Sequence, residues 1–174
     1  MIVVALTLWG CGKSDDAAYN ATNGAQTSDA LINPQHAGAG DYAAQCLSCH
    51  GAQGIGQEAL QAPALTSLDS VYIARQLRHF RDGVRGAHPE DTHGSIMAAS
   101  SAGLSDASIA DLVGYIDALP NVLSAATIKG DVAQGEDYHL NLCSACHGSN
   151  ALGNVALEVP ALAGLNDWYV LSQY

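Results

Sequence analysis

The string Cys46-Leu47-Ser48-Cys49-His50 returns ninety-seven positions later as Cys143-Ser144-Ala145-Cys146-His147. The likeness runs past those five residues. Laid over 143–174, residues 46–77 agree at thirteen of thirty-two positions, among them Gly51 with Gly148, Gly56 with Gly153, Pro63-Ala64-Leu65 with Pro160-Ala161-Leu162, Leu68 with Leu165 and Tyr72 with Tyr169. Self-similarity at a fixed offset means that one structural unit is built twice, and 174 residues suit two small domains. The paired glycines suit a tight loop, and the paired prolines a turn against it.

The chemistry of the string explains its spacing. Two thiols three positions apart on a helical turn can form thioethers to the two vinyl groups on one edge of a porphyrin, and the next residue then lies under the iron. Cys46, Cys49, Cys143 and Cys146 are therefore candidates for covalent attachment of two haem c groups, with His50 and His147 as proximal iron ligands. A redox dithiol or half of a zinc site needs only C-x-x-C. Neither explains a His directly after the second Cys in both copies. Composition agrees with a buried cofactor: 48% of residues are apolar, yet the chain has a single Phe and two Trp, so protein side chains alone make a thin core. The formal charge of −11 excludes a nucleic-acid partner, which needs a basic footprint.

Helical signals fill out the first unit. Residues 41–50 read as the end of a first helix. Residues 68–83 read as a second, with Asp69 as N-cap and Gly83 as stop. Residues 105–120 read as a third, capped by Ser105, with Ile109, Leu112, Val113, Ile116 and Leu119 on one apolar stripe and Pro120 after its end. No alternating strand pattern is present, and the expected class is all-α.

These features together resemble class I cytochrome c: C-x-x-C-H at a helix end, a Gly-rich loop, a Pro-Ala-Leu turn, a lone Met in the loop segment HGSIMAASSAGLSD, and a closing amphipathic helix. The duplication is similar to the dihaem c4-type cytochromes, over roughly residues 37–174. The resemblance implies tandem domains, each a few helices wrapped around a covalent haem, and it implies Met97 as distal ligand of the first iron. A thioether is a soft neutral donor that favours reduced iron and raises its potential. Apart from Met1, Met97 is the only Met. The rivals are His79, His88 and His93, with His93 the first of them; any would make a lower-potential bis-His haem. By the offset, a distal Met of the second copy would fall near position 194, past Tyr174, so the expectation is a longer chain whose second domain is incomplete here. His139 is expected on the helix that carries the second motif, poorly placed to reach the opposite haem face.

At the N-terminus, an apolar run too short to span a bilayer leads into Leu8-Trp9-Gly10-Cys11. This resembles a bacterial lipoprotein signal with lipidation at Cys11. No Lys or Arg precedes the run, which places the expected translation start upstream. The expected organisation is a signal at 1–11, a flexible tether at 12–36, a first cytochrome c domain at 37–120, a linker at 121–131 and a second domain at 132–174. All four Arg fall at 75, 78, 81 and 85, open to three readings: a solvated face, partners for haem propionates, or a docking surface for an electron partner. A haem with both axial positions filled can only pass electrons. The expected function is electron transfer on the periplasmic side of a bacterial membrane, lipid-anchored, with a terminal oxidase, a quinol-oxidising complex or a dehydrogenase as partner. The alternative is a dihaem cytochrome c peroxidase with one open iron.

Overall fold

The computed structural model describes residues 34–173. The expected signal at 1–11, its Cys11, and all but the last three residues of the expected tether lie outside them. Helix α1 (Ala39–Gln45) and the single turn α2 (Leu47–His50) meet at Cys46, followed by α3 (Ser70–Arg81), α4 (Thr92–Ser101) and α5 (Asp106–Asp117). The second half contains α6 (Val132–Tyr138), a π turn (His139–Cys143), α7 (Ser144–His147) and α8 (Asp167–Ser172). Extended pairing among the described residues is confined to two isolated bridges, Gln57 with Ala62 and Asn154 with Val159. The chain is all-α, as expected.

Local chemistry sets the helix ends. Asp69 caps α3, its Oδ1 accepting from Tyr72 N at 2.8 Å, and Gly83 takes φ +70 just beyond the other end. Ser105 caps α5 by accepting from Ser108 N at 3.0 Å. The stripe on α5 is buried as its spacing predicts: Ile109 and Leu112 are fully enclosed, with Val113, Ile116 and Leu119 beside them. It packs on Tyr42 of α1 and Ile73 of α3. The start of α1 meets α5 closely at Gly38, where a Cβ would lie 2.2 Å from the carbonyl oxygen of Asp111. Above the crossing, the Tyr42 and Tyr115 rings sit 5.0 Å apart.

The segment around Met97 differs from the expected loop, because it forms α4. Its start is fixed by Asp91, whose Oδ1 accepts from Gly94 N at 2.8 Å, and a Cβ on Gly94 would collide with that same carboxylate. The helix carries small residues in place of an apolar stripe, so periodicity gave no sign of it.

The two halves are joined by specific polar contacts. Ser67 Oγ donates to the carbonyl of its repeat counterpart Gly164 at 2.9 Å, and Ala64 N donates to Asn166 Oδ1 at 2.6 Å. Asp167 grips the connecting strand of chain: its Oδ2 accepts from Thr127 N at 2.6 Å and Ile128 N at 2.7 Å, and its Oδ1 accepts from Thr127 Oγ1 at 2.8 Å. The Ile128 amide and the two Thr127 donors hold this carboxyl down at about 2.

Candidate functional site

The first site grows out of the loop that follows α2. Gly51 and Gly56 adopt φ +77 and +79, which turns the chain back so that Gly56 N donates to the carbonyl of His50 at 3.0 Å. The return brings Pro63 beside the imidazole, and His50 Nδ1 donates to the Pro63 carbonyl at 2.8 Å. That bond assigns the ring proton to Nδ1 and leaves Nε2 with a free lone pair. His50 is 4% exposed, and burial pushes its pKa down while the Pro63 bond works in the opposite sense. The imidazole is therefore held neutral, the form in which a His ligates a metal.

His50 lines a cavity of about 540 Å³ together with Cys49, Leu68, Ile73, Phe80 and Met97. That size lies in the range of roughly 300–1,000 Å³ common for cofactor sites. A free imidazole nitrogen, a thiol, a thioether and apolar walls are the donor set and surroundings that a covalent haem needs, so the residues fit the group. The companion thiol, Cys46, packs against the core; burial, then Asp41 and Cys49, push it up to about 11. A thiol so reluctant to ionise is unsuited to dithiol exchange. Of the rival histidines, His93 reaches the cavity wall one turn before Met97, whereas His79 and His88 do not line it.

The second copy repeats the loop. His147 Nδ1 donates to the Pro160 carbonyl at 2.9 Å, Gly153 N donates to the His147 carbonyl at 2.9 Å, and Gly148 and Gly153 take φ +79 and +76. One substitution between the copies keeps its function by a different route. Tyr42 OH donates to Gly51 O at 2.6 Å, and at the equivalent position His139 Nε2 donates to Gly148 O at 3.0 Å. His139 therefore lies on the helical run that carries the motif, as expected, and its ring is engaged with the following loop, which was not.

The Arg cluster is shared among distinct tasks. Arg78 and Arg81 pair with Asp106 at 3.4 and 2.9 Å, which ties α3 to the start of α5. Arg75 crosses to the second half and bonds Glu158 through both its carboxylate, at 2.5 Å, and its carbonyl, at 2.7 Å. Arg85, in the turn beyond α3, donates to Gln76 on that helix and to Tyr169 and Gln173 across the junction. Sequence reasoning missed the Tyr42–His139 pair and the joining roles of Asn166 and Asp167. The ninety-seven-residue offset was the signal that could have found the first.

A covalently liganded all-α haem fold is the class these features define, and the comparisons agree. The cytochrome c family model matches residues 35–120. The chain is 32% identical over 159 residues to the thiosulfate dehydrogenase electron acceptor of Stutzerimonas stutzeri (strain A1501), covering 86% of this chain and 70% of that one. It is 34% identical over 141 residues to the protein of the same description from Thiomonas intermedia (strain K12), covering 75% of this chain and 61% of the relative's length. The structure of cytochrome c4 from Acidithiobacillus ferrooxidans superposes with a TM-score of 0.62 at 27% identity, over 75% of this chain and 78% of that chain. The chain belongs to the cytochrome c family. Membership implies covalently bound haem c with its iron.

Proposed function

We propose that the chain is a dihaem electron-transfer unit that takes electrons from a dehydrogenase and hands them on to an oxidase or to the next carrier. The carrying observation is the twofold occurrence of one loop, in which His50 and His147 each donate Nδ1 to a Pro carbonyl and keep Nε2 free. In the first module, the Met97 side chain lines the cavity that His50 enters. When bound, the haem supplies one-electron chemistry. The protein's residues do the rest. Cys46 and Cys49 tether one haem and Cys143 and Cys146 the other. Pro63 and Pro160 orient the imidazoles of His50 and His147, which would hold the two irons, and Met97 would be the second ligand of the first, closing that site to a substrate. The apolar wall of the first cavity excludes water, which favours the less charged ferrous state.

The relatives described as electron acceptors of thiosulfate dehydrogenase support a dehydrogenase of that kind as donor. Their descriptions do not favour the peroxidase alternative. Domains at 37–120 and 132–174, a linker at 121–131, a periplasmic location and a lipid anchor at Cys11 complete the reading. Among the described residues no helix is long and apolar enough to cross a membrane.

The test is the distal ligand. The oxidised protein is expected to show the weak near-infrared sulfur-to-iron band, and Met97→Ala to abolish it, lower the first potential and admit carbon monoxide to the reduced first site. His93→Ala is expected to leave the band in place. A silent Met97→Ala with a spectrum transformed by His93→Ala contradicts the assignment.

A further inference from the structure

Arg85 is the one guanidinium among the described residues without a carboxylate partner. Arg75, Arg78 and Arg81 each form an ion pair, whereas every partner of Arg85 is neutral: Gln76 Oε1 at 2.8 Å, Gln173 Oε1 at 2.8 Å and Tyr169 OH at 3.2 Å. No carboxylate among the described residues lies within ion-pair distance of it, and its place is not accidental. After α3, both Val84 N and Arg85 N donate to the His79 carbonyl, at 2.8 and 3.0 Å, which folds the chain back over the helix end. The fold-back lays the guanidinium 4.7 Å from the Phe80 ring centroid. Gly86 completes the turn at φ +77, where a Cβ would strike the Gly94 carbonyl oxygen at 2.2 Å. Arg85 and Phe80 both line the first cavity, and so do Tyr169 and Gln173 from the second module.

We infer that Arg85 is a positioning residue that couples the reduction potential of the first haem to the docking of the second module. The inference rests on the reading of the cavity as a haem site. Reducing the iron adds one electron and removes one unit of positive charge. A neighbouring fixed cation therefore favours the reduced form, and more strongly the less water screens it. Tyr169 provides that shielding through a half-buried bond, and Gln173 helps to hold the guanidinium in place with a second neutral acceptor at the solvent edge. The same charge is felt at Tyr72 on the cavity wall, where Arg85 opposes the upward push that burial gives the phenol. A change in how α8 sits would alter the potential of a haem bound in the other module, and by linkage the redox state of the first site would alter the hold on α8.

The test is a spectroelectrochemical titration of the full haem-loaded chain, with the first site identified as the wave that Met97→Ala moves. Arg85→Gln is expected to lower the reduction equilibrium of that site about tenfold, or about 59 mV for one electron. Tyr169→Phe combined with Gln173→Ala leaves the charge but releases it to water, and about threefold is expected. Arg78→Gln removes a cation already paired with Asp106 and away from the cavity, and no shift is expected. Arg85→Lys is expected to keep the potential within about twofold while speeding amide exchange in α8, because a lysine cannot reproduce the fork. That variant serves should Arg85→Gln fail to load haem. Wild-type protein without covalent haem overturns the cofactor reading and this inference with it. With haem bound, an unmoved potential in Arg85→Gln, an equal shift in Arg78→Gln, or unchanged α8 exchange in Arg85→Lys overturns this inference alone.

Discussion

The two copies agree in their loops and differ in their surroundings. His50 and His147 hold their Pro carbonyls at 2.8 and 2.9 Å, and the glycines around them repeat their φ angles within a few degrees. Yet His50 is enclosed while His147 is half-buried, and the second module exposes Leu142, Val155 and Leu157 at more than 60% each. The contrast separates two sources of order. The ligand loop is encoded by its own twenty or so residues, through positive-φ glycines and a short carbonyl contact. Enclosure comes from elsewhere in the chain: in the first module α4 walls the cavity and α5 fills the core behind it, and neither helix has a counterpart among the described residues of the second.

The strongest way to break this comparison is to empty the first module's core while leaving its loop alone. Leu112 is 1% exposed on α5, and Leu112→Ala is expected to cost about 2–5 kcal/mol in denaturant unfolding. Amides of the loop, Gly56 above all, are expected to retain their exchange protection relative to their neighbours in the folded variant. If they lose it first, the loop is not locally encoded.

Next in size is a matched pair of glycine substitutions. A Cβ on Gly56 would meet Ala62 O at 2.4 Å, and one on Gly153 would meet Val159 O at 2.5 Å, both at positive φ. Each Ala variant is expected to destabilise its own module by about 2–3 kcal/mol from backbone strain and overpacking, with the two costs alike. Module-resolved hydrogen exchange reads them separately. A large cost in the first copy and none in the second would mean that the loop depends on its enclosure.

The smallest effect concerns the junction. Asp167 is matched in the first copy by Ser70, so its grip on Thr127 and Ile128 belongs to the second copy alone. Its folded pKa of about 2 lies below the unfolded value of about 3.9. The contribution is therefore complete above pH 4 and is lost as pH falls through about 2. The Thr127 and Ile128 amide shifts are expected to titrate with a midpoint near 2, and Asp167→Asn to remove that titration. A midpoint near 4 would mean that the carboxylate makes no such bonds in solution.

These contrasts also explain what the sequence could and could not reveal. The C-x-x-C-H strings, the caps at Asp69 and Ser105 and the stripe from Ile109 to Leu119 are short-range patterns, and each is found where its spacing puts it. Helix α4 was missed because Ala, Ser and Gly leave no apolar stripe, and only the Asp91 cap reveals where it starts. The Arg cluster was divisible only in three dimensions. Arg75 meets a residue eighty-three positions away and Arg81 one twenty-five away, distances over which no periodicity speaks. Likewise, Asn166 occupies the position of the capping Asp69, but its side chain leaves its own helix to bond Ala64 N in the other module.

The central claim is that both copies, enclosed or open, hold a haem of their own. Intact-mass measurement of the full-length protein after acidified-acetone extraction addresses it directly, because thioether-bound haem survives that treatment. The account predicts a chain heavier by two haem groups, falling to one in both Cys46→Ala/Cys49→Ala and Cys143→Ala/Cys146→Ala. A wild-type chain carrying a single haem, lost only with Cys46 and Cys49, would contradict it.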